Sequence, residues 1–375
     1  MNSGFLDRLK RLGVAPNGKI DLSQKPTIVT PRSSDLPRRP SALDATLGIP
    51  GLRREASAWV VDSESDPEGL HGSVALSFNA GTWPILAAVA SRDARFRDIP
   101  VEDWCFIDTE TTSLNSGAGV WVFLVGVGRF QRGRFTVRQH LLAGPEHEDE
   151  FLGAVGADLS RARALVSFHG KSFDAPRIDD RFRLMGLSPH CQGVPHLDLI
   201  HPVRRMVRTR WPDVRLRTVE ERWLDFIRED DLPGSLCPTQ FFSWLRGEQH
   251  RMAAVFEHNR LDIVSLAALT RVLLDAYNGD RTRGCQVAVG LDYLLASETE
   301  RAFSRLEEGL NLGTCTDRGL IVQACHAAIV HRRLGLARAY VDRMRSVHPQ
   351  DVKTPVLAER LARLATRLAR AQFSV

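Results

Sequence analysis

The chain has 375 residues, 43% hydrophobic and 25% charged, with a formal net charge of +5. That balance suits an ordinary soluble protein of two or three domains, and a mild basic excess is compatible with a polyanionic partner. No apolar run nears the ~18 residues a membrane-spanning helix needs, and the N-terminus lacks the apolar core of a secretory signal. None of the six cysteines forms a Cys-x-x-Cys pair. A zinc knuckle or thioredoxin-type site is therefore disfavoured, and free thiols in a reducing cytoplasm are expected.

Residues 1–55 read as a polar, partly disordered arm rich in Pro, Ser and Arg, with Phe5, Leu6, Leu9 and Leu12 spaced for a short amphipathic docking helix. From residue 56 the pattern changes. AWVVDSE and SVALSF read as strands, as do VEDWCFID, GVWVFLVGVGRF and RFTVRQHLL, the last two joined by a QRGR turn. HEDEFLGAVGADLSRA has helical spacing, ALVSFHG is a short apolar strand, PRIDDRFRLM a helix and HLDLIH a further strand. Residues 202–276 read as mainly helical. Strand, strand, strand, helix, strand, helix is an α/β order, and many folds share it. Residues 284–375 form helical hairpins with Ala and Leu at the contacts, similar in spacing to tetratricopeptide repeats, although a generic helical tail fits as well.

Three segments place acids where they need a reason. Asp108 ends a buried strand, and Glu110, two residues on, leaves the same face. Two buried like charges call for a cation; the alternative is a strand end with solvated acids. Asp174 opens a helix, where an acid also serves as a simple N-terminal residue. His258 and Asp262, four apart in a strongly helical stretch, share one face, as a metal-binding pair or as a surface acid beside a core histidine.

Together, FIDTETTSL, FHGKSFDAP and HNRLDIVSL resemble the three motifs of the DEDD superfamily of 3′–5′ exonucleases, and within it the YprB-type ribonuclease H-like proteins. The resemblance covers roughly residues 58–276 and implies a mixed sheet flanked by helices over 56–278. It further implies a nuclease working with two Mg²⁺ or Mn²⁺ ions per site, held by Asp108, Glu110, Asp174 and Asp262, with His258 orienting the attacking water. His258 stands four residues before Asp262, at the spacing of the family's tyrosine class, and His169 stands where the family often has Asn. Thr111, Thr112 and Leu114 would line the terminal nucleotide's pocket, and Lys171 would contact a phosphate.

Arg204, Arg205, Arg208, Arg210, Arg215 and Arg217 surround Trp211. Arginines beside a stacking aromatic suit a single-stranded or 3′-ended DNA or RNA; the plainer reading is a solvated helical face over a core Trp. The expected activity is thus a cytoplasmic, metal-dependent 3′–5′ exonuclease. A structure-specific endonuclease of the same fold is one alternative, and a non-catalytic adapter whose C-terminal helices bind a protein partner is another.

Overall fold

The computed structural model describes residues 47–372 apart from 56–57, 67–68, 114–118 and 209, with side chains up to 366. These residues belong to one compact unit, Ser41–Val375. The amphipathic helix read at Phe5–Leu12, most of the polar arm and Leu114 lie outside them.

Short edge strand β1 (Arg53–Glu55) precedes β2 (Ala58–Glu64), and a two-by-two hairpin, β3 (Leu70–His71) and β4 (Val74–Ala75), follows. Two expectations change here. The arm's last residues pair as β1, and the strand read through SVALSF is only two residues long. Helix α1 (Trp83–Ser91), which the sequence reading passed over, covers one face of the sheet. Seven of its nine residues are buried, so it lacks the polar face that marks an amphipathic helix.

The sheet continues with β5 (Trp104–Thr111), β6 (Val122–Gln131) and β7 (Arg134–Leu141). After α2 (Glu148–Leu159), β8 (Ala164–Ser167), α3 (Asp174–Leu184) and β9 (His196–Asp198) complete it. Its order is β1-β2-β7-β6-β5-β8-β9. Strands β1 to β7 pair antiparallel, whereas β5-β8 and β8-β9 are parallel. Near-continuous apolar β5 and β6 occupy the centre, buried on both faces.

Beyond the sheet come α4 (Ile200–Val207) and α5 (Leu216–Val219), the latter widening into a π turn, Glu220–Leu224. Helices α6 (Cys237–Leu245) and α7 (Met252–Asn278) follow. Helix α7 lies against β5, β6 and β7, and Gly126 sets how closely. A Cβ there would come within 2.5 Å of Asn259 Oδ1 and 2.9 Å of Ile263. Phe123 of β6 stacks on Phe241 of α6, centroids 4.3 Å apart and rings 12° from parallel. Such a pair adds about 1 kcal/mol to the burial itself and pins α6 beside the end of β5.

The C-terminal region is helical: α8 (Gln286–Leu295) packs on α9 (Thr299–Asn311), α10 (Arg318–Val330) on α11 (Leu334–Val347), and α12 (Lys353–Gln372) closes the series. One continuous apolar core runs from Val74 through α1 and α7 into these hairpins as far as Leu361. No helix among the described residues is long and apolar enough to cross a membrane.

Candidate active site

Three separate segments bring four acids together. Asp108 and Glu110 leave β5 on the same face, and a register shift follows at Glu110/Thr111 where the strand ends. Asp174 is the first residue of α3, and Asp262 lies on α7, one turn after His258. The sequence reading placed all five on the right elements, and the fold brings them together.

Helix α7 ties itself to β5 through Asn259. Its Nδ2 donates to Asp108 Oδ2 (2.8 Å) and lies 3.3 Å from the Asp108 carbonyl. Gln139 of β7 holds Asn259 in turn, donating to its Oδ1 (2.9 Å) and to the Phe256 carbonyl (2.8 Å). Thr109, on the other face of β5, donates its hydroxyl to Asp174. The described bonds to Asp108 and Asp174 thus come from neutral donors.

Arg228, in the loop after the π turn, brings a guanidinium to Asp262, with its side chain 3% exposed. Its guanidinium reaches Glu220 Oε1 (2.5 Å) and Oε2 (3.0 Å), Asp231 (3.3 Å) and Asp262. His258 Nδ1 is 2.8 Å from Asp231 Oδ1 and 3.5 Å from Arg228. The shorter contact decides the tautomer: Nδ1–H donates to Asp231. Nε2 is then left facing Glu110 Oε1 and Asp262 Oδ2, 3.8 Å from each.

The electrostatics follow from that geometry. Asp108 retains some exposure at its outer side, yet its carboxyl lies deep. Burial, then the charges of Asp262, Asp174 and Glu110, hold its pKa well above the carboxylate range. Burial likewise lifts Glu110 to about 8 and Asp174 to about 6, the latter against the Thr109 hydrogen bond. Burial works to lower His258, but Asp262 and Glu110 outweigh it and raise the ring. Arg228 and His258 stand beside Asp262 and Glu110, and the charge of Arg177 favours ionised Asp174; Asp108, Glu110 and Asp174 are nonetheless held above the carboxylate range, and their oxygens suit a hard divalent cation such as Mg²⁺ or Mn²⁺.

Residues 105–274 match the family described as the RNase_H superfamily. That stretch is similar to a ribonuclease H superfamily domain. Its sheet is the mixed one expected, with β7-β6-β5 antiparallel and β8-β9 continuing parallel, extended by β2 and β1. Over 212 residues the chain is 33% identical to the Bacillus subtilis (strain 168) protein YprB. That similarity covers 54% of this chain and 50% of the relative, so the chain spans about half the length of the curated relative it matches.

Other residues of the domain fall differently from the sequence reading. The Thr111 hydroxyl donates to the Ser113 carbonyl (3.0 Å), and that of Thr112 accepts from the Trp121 N–H (3.0 Å). Both brace the turn after β5. Lys171 is exposed beside His169, whose positive φ of 71° turns the chain after β8. Buried Asp198 accepts from the backbone N–H of both. Arg204 and Arg208 are exposed, with Arg208 Nε 4.0 Å from Asp317. Arg205 corrects the expectation of a phosphate contact. Its guanidinium donates to Asp292 (2.9 Å) and the Ala90 carbonyl (2.7 Å), so it joins α4 to α1 and α8. Trp211 packs edge-on to Trp223 at 5.8 Å, at the margin of the core.

The sequence reading missed Asn259, Arg228, Asp231, Glu220 and Cys237. Asn259 alone carried a signal, one turn before Asp262 in a core-facing stretch where a buried amide needs partners.

Proposed function

We propose that the chain is a divalent-metal-dependent nuclease, acting as a 3′–5′ exonuclease on single-stranded or 3′-ended DNA or RNA. The observation that carries this reading is the convergence of Asp108, Glu110, Asp174 and Asp262 in a ribonuclease H-like domain, the first three held above the carboxylate range by burial and by one another. Divalent cations held by these four acids would activate water and stabilise charge on the leaving oxygen.

The chain's own groups supply the rest. His258 Nε2, with Nδ1–H donating to Asp231, is a proton acceptor aimed between Glu110 and Asp262. Asp231 keeps that tautomer and orientation, and Arg228 steadies Asp231 and Asp262 together. Asn259 fixes Asp108, and Thr109 fixes Asp174. The ends of β5 and β8, with Thr111, Thr112 and Lys171, would form the rim on which a terminal nucleotide rests, and exposed Arg204 and Arg208 would meet its backbone.

The test is a panel of end-labelled linear and closed circular DNA and RNA with Mg²⁺ or Mn²⁺. Wild-type protein should shorten linear strands from the 3′ end and spare circles, and Asp108→Ala and Asp262→Ala proteins should be inert. Equal cutting by wild type and both variants would sink the assignment. Cutting of circles would favour the endonuclease, and metal binding with no cleavage the adapter.

A further inference from the structure

Cys237 brings a different chemistry to the same site. It is the first residue of α6, fully buried, and its Sγ lies with Glu110 and His258 in a group whose ligand atoms all fall within 4.8 Å of one another. A hard-metal nuclease site has no need of sulfur. Thiolate, imidazole and carboxylate together are the donor set of a tetrahedral Zn²⁺ site.

Three features of the fold prepare these donors. Asp231 holds His258 Nδ1, which leaves Nε2 as the free nitrogen; a carboxylate behind a histidine is the usual support of a zinc ligand. Position 234, at the entrance to α6, is glycine, and a Cβ there would stand 3.2 Å from His258 Nε2. A side chain would therefore crowd the atom that must bind. Asp262 Oδ2, 3.8 Å from the same nitrogen, is a fourth donor within reach.

We propose that Glu110, Cys237 and His258, with Asp262 or water completing the tetrahedron, form a binding site for Zn²⁺ that overlaps the hard-metal site. Binding forms the Zn–S bond as the Cys237 thiol gives its proton to solvent, with no change of oxidation state. Zinc would withdraw Glu110 and Asp262 from Mg²⁺ or Mn²⁺, and His258 from water. The binding rests on geometry alone; the consequence, inhibition of cleavage, rests on the nuclease reading.

The experiment titrates metal-free, full-length protein with Co²⁺, then Zn²⁺, following absorption. One equivalent of Co²⁺ should produce a near-ultraviolet sulfur-to-cobalt charge-transfer band that Zn²⁺ abolishes. Cys237→Ser should lose the band and weaken Zn²⁺ by more than ~100-fold, whereas Asp231→Asn should weaken it ~10–100-fold with the band retained. Cys285→Ser controls for the other thiols. Should Cys237→Ser fold poorly, X-ray absorption of zinc-loaded wild type gives a second readout, in which one sulfur neighbour is expected. No band, a band that survives Cys237→Ser, or zinc without sulfur neighbours would each overturn the site. Cleavage without the band leaves the nuclease reading standing and removes this one. A band from a protein that cuts no substrate does the reverse.

Discussion

Two aspartates lie deep in this chain in opposite company. Asp292, on α8 where the helical hairpins meet the sheet domain, is 1% exposed and accepts from Arg92 (2.8 Å), Arg205 (2.9 Å) and the Tyr277 hydroxyl (2.5 Å). Asp108, at the centre of the sheet, accepts from the neutral amide of Asn259 and faces three other acids. The first arrangement compensates a buried charge and joins helices; the second accumulates charge and leaves it unbalanced. Burial alone does not separate a structural acid from a working one, but the sign of its neighbours does.

That contrast breaks most visibly under mutation. Asp108→Asn should reduce cleavage by at least ~1,000-fold while leaving metal-free thermal stability equal or higher at pH 8, because it removes repulsion. Asp292→Ala should do the opposite. It strands two arginines, costs about 3–5 kcal/mol in denaturant unfolding, and leaves the folded protein active. If Asp108→Asn instead unfolds the protein, the contrast is wrong.

The pH dependence sharpens it. Folded Glu110 and Asp174 titrate near 8 and 6, above the ordinary carboxylate values they have when unfolded. Raised acids impose no penalty below their unfolded pKa and the full penalty above the folded one. The raised His258 acts with the same sign, since the stability it lends at low pH is lost as pH rises. The melting temperature of metal-free protein should therefore fall from pH 5 to pH 8, and Mn²⁺ should recover more of it at pH 8 than at pH 5. A flat profile would mean the acids are better compensated than the geometry indicates.

A smaller effect is expected at Asp231. Asp231→Asn should keep the fold and lower the cleavage rate ~10–100-fold, with the acidic limb of the pH–rate profile displaced as His258 loses its anchor. Smallest are the surface arginines. Arg204→Ala and Arg208→Ala should each reduce the salt slope of nucleic-acid binding by about 1 without altering the rate at saturation. Arg205→Ala should act on stability, as Asp292 does.

Strands β5 and β6 were legible in the sequence as apolar runs bounded by turn residues, and β7, helix α7 and the C-terminal helices by their period of apolar residues. Helix α1 was not, because a helix buried nearly all round has little period to detect. The four acids were legible by order and element. Arg205 was misplaced because a run of arginines does not tell which one turns inward; that depended on Asp292, brought to it by the packing of α8.

The sequence by itself determined that Asp108 and Glu110 share one face of a strand and that His258 and Asp262 share one face of a helix, since backbone periodicity dictates both. Only the tertiary structure decided what those faces meet: Arg228 against Asp262, Asp231 behind His258, Asn259 on Asp108, and Cys237 beside Glu110. Arg228 and Asp231 come from a loop with no local pattern of its own, and the partners of Asn259 and Cys237 lie far from them in the chain. They are placed by the close approach of α7 at Gly126 and the docking of α6 through Phe241, interactions between distant parts of the chain that no local window contains.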